Sequence, residues 1–172
     1  MPLSLFDRIR EATGVGIEEL AGGVIEGEIP LTDALVNRQI ETQLASMQAP
    51  VTRARVETLG GDAFTVHLTM KGPLPSVRIA VTIELQPGLP QSAVLGMRWS
   101  MPGLGPLAML AAPALSFFKA LPPGIGVDGD RIAVDIGVLL RSRGLGDLLP
   151  LLTRLRVTTR RGAFVVQFAA RT

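Results

Sequence analysis

The stretch AFTVHLTMKGPLPSVRIAVTIEL, residues 63–85, decides the fold class. Phe64, Val66, Leu68 and Met70 alternate with Thr65, His67, Thr69 and Lys71. Val77, Ile79, Val81, Ile83 and Leu85 alternate in the same way with Arg78, Ala80, Thr82 and Glu84. A period of two sends successive side chains to opposite faces of a strand, so each run has one apolar face and one polar face. Gly72-Pro73-Leu74-Pro75 between them is a turn signal. The pair is therefore read as an antiparallel hairpin with one face buried and one in water.

Working outward, residues 51–59 form a weaker strand with Arg53, Arg55 and Glu57 toward water, joined to the hairpin by Gly60-Gly61-Asp62. Ala93, Leu95, Met97, Trp99 and Met101 continue the meander. Before it, Gly23–Pro30 reads as a strand, and Thr32 reads as the N-cap of a helix running to Met47. Leu35, Val36, Ile40, Leu44 and Met47 recur at helical spacing and make one apolar stripe, while Asn37, Arg38 and Glu41 fall elsewhere. Residues 104–120 read as a second helix, apolar almost all round. Ile132, Val134, Ile136, Val138 and Leu140 read as a further strand, with Asp128-Gly129-Asp130 as the turn before it. Residues 145–155 read as a short Leu-rich helix or loop, and a hairpin closes the chain around Arg160-Arg161-Gly162.

The expected fold class is α+β. A curved antiparallel sheet wraps around a long helix, and the second, apolar helix caps it. Residues 1–22 are read as a helical or loop appendage and 23–172 as a single domain. Hydrophobic residues make up 47% of the 172 and charged ones 19%, below the ~25% of an average domain. This composition excludes a disordered chain. The absence of cysteine excludes thiol chemistry and disulfides, and a single histidine leaves no zinc-ligand set. No cofactor is expected. Gly-x-Ser-x-Gly, a P-loop and a full dinucleotide fingerprint are all missing, so no catalytic role is assigned.

Charge is unevenly spread. Residues 1–70 carry a net −5 and residues 131–172 a net +6. Arg154, Arg156, Arg160 and Arg161 are read as making transient contact with an anionic membrane surface. Interleaved stacking aromatics are lacking, which argues against nucleic acid. No basic segment followed by an apolar run opens the chain, so a cytoplasmic, membrane-peripheral location is expected.

One order of elements carries a family resemblance. A strand-like Gly-Val-Ile-Glu-Gly-Glu-Ile-Pro at 23–30 precedes a helix containing Leu35-Val36-Asn37-Arg38-Gln39-Ile40. Paired meander strands, an apolar helix, Leu121-Pro122-Pro123-Gly124-Ile125 and further strands follow. This resembles a half-module of the tubular lipid-binding (TULIP) superfamily, in particular its small bacterial lipid-binding members. The resemblance implies acyl chains held between a curved sheet and a helix. The expected function is non-catalytic binding, extending to transfer, of a lipid or other long apolar ligand. The residues assigned to the groove are Leu35, Ile40 and Leu44 of the helix and Phe64, Val66, Leu68, Val77, Ile79, Val81 and Ile83 of the sheet. Trp99 and Phe117 are placed at its mouth. The alternative is an interaction or self-assembly module that uses the apolar segment 104–118 as its interface.

Overall fold

A computed structural model describes residues 22–45, 51–73, 76–102 and 123–171. The chain enters strand β1 (Val24–Thr32) and passes directly into helix α1 (Asp33–Ala45). A meander of β2 (Val51–Gly60), β3 (Ala63–Met70), β4 (Val77–Leu85) and β5 (Val94–Ser100) follows. Then come β6 (Ile125–Asp128), β7 (Arg131–Asp135), α2 (Ile136–Ser142), a 3-10 turn (Gly146–Leu151), β8 (Leu152–Arg160) and β9 (Ala163–Arg171). Two antiparallel sheets result. One has six strands in the order β2-β3-β4-β5-β7-β6, the other three in the order β1-β9-β8.

The expectation of one sheet wrapped around a long helix is corrected. Strand dominates, and α1, at 13 residues, is the longest helix among the described residues. It lies along the outer edge of β2 instead of inside a sheet. Asp33 and Asn37 are one helical turn apart and share a face. Asn37 Nδ2 donates to Val56 O (2.9 Å) and its Oδ1 accepts from Val56 N (2.6 Å). Asp33 accepts from Thr58 N (3.0 Å) and from the Thr58 hydroxyl (2.9 Å). One helical turn rises about 5.4 Å and two strand residues about 6.8 Å, so the two side chains meet alternate residues of β2. Thr32 begins α1 as its sequence suggests, with its Oγ1 accepting from Leu35 N at 3.3 Å.

A second seam joins the sheets. Gln86, just after β4, treats Val157 of β8 as Asn37 treats Val56: its Nε2 donates to Val157 O (2.7 Å) and its Oε1 accepts from Val157 N (2.9 Å). Asp62, in the β2–β3 turn, accepts from Thr159 N (3.3 Å), and Thr159 Oγ1 donates to Ala63 O (3.2 Å). The Asp33 N–H donates to Gly162 O (2.9 Å), extending the β1–β9 ladder by one step. Antiparallel ladders alternate. That phase turns the backbone of Pro30 to the open edge of β1, where its missing N–H costs no ladder bond.

The expected strand through Leu140 is also corrected. It stops at Asp135, whose Oδ1 accepts from Val138 N at 2.9 Å and caps α2. The alternation of Ile136, Val138 and Leu140 fits a strand, but the cap commits the backbone to a helix. The turns at 60–62, 129–130 and 161–162 stand where the sequence puts them. Residues 1–21 and the segment 104–120, read as the capping apolar helix with Phe117 and the 104–118 interface inside it, lie outside the described residues.

Replacing Asn37 by leucine is expected to lower stability by about 2 kcal/mol, because both Val56 backbone groups lose their partner. Urea denaturation checks this. An unchanged midpoint would show that the Asn37 bonds carry no weight.

Candidate functional site

Registry fixes what each sheet presents to the interior. In the six-stranded sheet, Phe64, Val81 and Trp99 stand in one cross-strand row, and Val66 faces Ile79 in the next. Leu68 faces Val77, while Ile83, Met97, Ile132 and Val127 line up across four strands. Leu95, Val134 and Ile125 form another row. One apolar face thus crosses all six strands. The three-stranded sheet presents a similar one. Leu31 faces Phe164, Ile29 faces Val166 and Val157, and Phe168 lies between Gly27 and Leu155. A Cβ on Gly27 would come within 2.7 Å of the Phe168 ring, so the glycine lets that ring lie against β1.

The two faces meet at an edge-to-face contact between Phe64 and Phe164, ring centroids 5.0 Å apart. Close to it the core is tight: Leu68 and Ile79 are fully buried. Away from it burial falls off. Ile25 (40% exposed) and Ile29 (49%) on β1 and Val127 (37%) on β6 belong to the same inner faces yet stay open to solvent. These strands are the outermost ones of their sheets.

Most of the residues assigned to a groove come together here. Phe64, Leu68, Val77, Ile79, Val81 and Ile83 are buried in the core, and Ile40, Leu44, Val66 and Trp99 pack half-buried against it. Leu35 does not join them. It is 47% exposed, while Val36 takes the inward position in the first turns of α1. The stripe drawn through both residues is wider than the face the helix buries. Phe117 is outside the described residues. The sequence reading also passed over Ile25, Ile29 and Val127. Their alternation with Glu26, Glu28 and Asp128 was a signal for them.

The polar groups of these inner faces are already engaged. The hydroxyls of Thr58 and Thr159 donate to Asp33 and to Ala63 O. The Trp99 indole donates to Gly129 O at 3.1 Å. A ligand against these faces meets hydrocarbon and few free donors. His67 lies on the other side of the sheet, its Nε2 3.5 Å from Glu57 Oε2, and no metal-ligating cluster occurs among the described residues.

The four arginines at the C-terminal hairpin are not equivalent. Arg154 pairs with Glu26 (3.3 Å) and Arg160 with Glu28 (3.7 Å), across the central strand β9. The expected basic patch is therefore partly neutralised by β1. Among the described residues, no helix is long and apolar enough to cross a membrane. No protein-family model, curated protein or solved structure matches the chain.

Leu35→Lys is expected to leave stability within about 0.5 kcal/mol, whereas Ile79→Ala is expected to cost about 2–5 kcal/mol. Thermal unfolding of the two variants separates the open position from the packed one.

Proposed function

We propose that the protein binds a long apolar ligand, such as the acyl chain of a lipid, along the inner faces of its two sheets, without catalysis. The observation that carries this reading is the graded burial of one continuous apolar surface. It is closed at Phe64–Phe164 and open at Ile25, Ile29 and Val127. Apolar residues placed in register on an inner face gain about 25 cal/mol per Å² when covered. A sixteen-carbon chain, at about 0.8 kcal/mol per methylene, gains on the order of 10 kcal/mol before its entropy losses. Such a ligand needs no directional polar partner, which matches a surface whose own polar atoms are already bonded.

Protein purified without detergent is expected to show a stoichiometric adduct of lipid mass by native mass spectrometry. In the pair Ile29→Glu with Val127→Glu, both positions are open enough to accept a charge without unfolding the core. Occupancy is expected to fall by about tenfold, the loss of roughly 1.4 kcal/mol of apolar cover. Full loading of a folded double variant overturns the site. A clean unliganded mass, with light scattering showing a dimer, assigns the open apolar surface to contact between copies.

A further inference from the structure

The opposite face of the six-stranded sheet carries a different pattern. Arg55, His67 and Arg78 stand directly side by side across β2, β3 and β4. Arg53 lies two residues along β2 on the polar side, and Lys71 follows the end of β3. A surface depression of about 500 Å³ brings Arg161 beside Arg55 and His67. All five of the Arg and Lys residues are exposed, and none has a carboxylate within ion-pair distance among the described residues. By contrast Arg98, on the same sheet, lies 3.3 Å from both Glu84 and Asp130. Acids also border the patch: Glu57, whose Oε2 lies 3.5 Å from His67 Nε2, Asp33, which lines the depression with Arg55 and Arg161, and Glu41, which shares another with Arg53 and Lys71.

Neighbouring strands are about 4.8 Å apart, so Arg55 and Arg78 are about 10 Å apart, and Arg53 is about 7 Å from Arg55 along the strand. Like charges set side by side on a sheet repel each other. Here the five lack ion-pair partners among the described residues and outnumber the acids beside them. Between them on this side stand Thr65, which is fully buried, Thr69, Ala80 and Thr82, with Glu57 and Glu84 farther along β2 and β4. Phe64, Trp99, Phe164 and Phe168 are all on the inner faces. A single-strand nucleic-acid surface pairs its cations with stacking rings. This face has an excess of cations and no rings, the arrangement that suits a plane of phosphate headgroups.

We propose that the outer face of β2–β4 docks on anionic lipid bilayers through Arg53, Arg55, Lys71 and Arg78, with Arg161 at its border. The docking surface is thus moved from the C-terminal hairpin, where Glu26 and Glu28 hold two of the arginines, to the meander. It is independent of a ligand on the inner faces, since vesicle binding and ligand mass are read separately.

The test is flotation of the whole protein with vesicles of phosphatidylcholine containing about one third phosphatidylglycerol, against pure phosphatidylcholine. Wild-type protein is expected to float with the anionic vesicles alone and to be released as salt rises to about 0.5 M. Each surface arginine contributes roughly fivefold to such binding, so Arg55→Gln with Arg78→Gln is expected to weaken it about 25-fold. The charge-matched pair Arg154→Gln with Arg156→Gln is expected to stay within about twofold of wild type, with Arg154 already paired. Arg55→Lys with Arg78→Lys keeps the charge and is expected to keep the binding, which separates lost charge from lost fold. Wild-type binding by the Arg55/Arg78 glutamine pair overturns the proposal. So does binding to duplex DNA or heparin with none to vesicles.

Discussion

The structure depends on the treatment of strand edges. A sheet edge bears a row of N–H and C=O groups that must find partners when covered. Where the two sheets come together, side chains supply them. Asn37 serves Val56 and Gln86 serves Val157, each through the paired donor and acceptor of a carboxamide. Asp33 and Asp62 add an acceptor apiece for Thr58 and Thr159. A carboxamide placed this way stands in for one residue of a neighbouring strand. It ends the ladder without leaving buried groups unpaired, and it lets α1 and the three-stranded sheet sit against the meander at fixed positions. The contact between Phe64 and Phe164 follows from that placement.

The meander was legible because a period of two over 63–85 admits one reading, and glycine and proline mark its turns. The layout of the whole was not. Whether strands at 24–32 and 152–171 extend the meander or build a second sheet depends on pairings between residues far apart in the chain. Local pattern does not record them. Asn37 illustrates the difficulty. By spacing it is a polar residue off the apolar stripe, as a solvated one would be, and only the strand lying beside it reveals its role. Asp135 misleads for the opposite reason: a single local cap overrides an alternation that otherwise fits a strand.

Much of the candidate surface was legible too. Inward residues of β3 and β4 follow directly from alternation. Burial grades, which separate closed core from open ledge, do not. Ile79 and Ile29 look alike in the sequence and differ in the fold because β4 is central in its sheet and β1 is at an edge. The charge reading shows the same limit. A count along the chain places the positive charge at the C-terminal end, yet Glu26 and Glu28 hold two of those arginines across β9, and further cations without ion-pair partners lie on β2–β4.

The pairing of β1 with β9 bears on the order of events when the chain is made. Glu28 and Gln167, which meet across these strands, are 139 residues apart. Closing so long a loop is slow and comes after local pairing. The meander, joined by short turns, draws its pairings from chain made well before β9. Until then β1 has no neighbour, and the inner face of the meander has no second sheet opposite it. The fold thus builds its greasiest surface from an earlier part of the chain and draws part of its cover from the last, so that cover is the longer-range and slower contact to close.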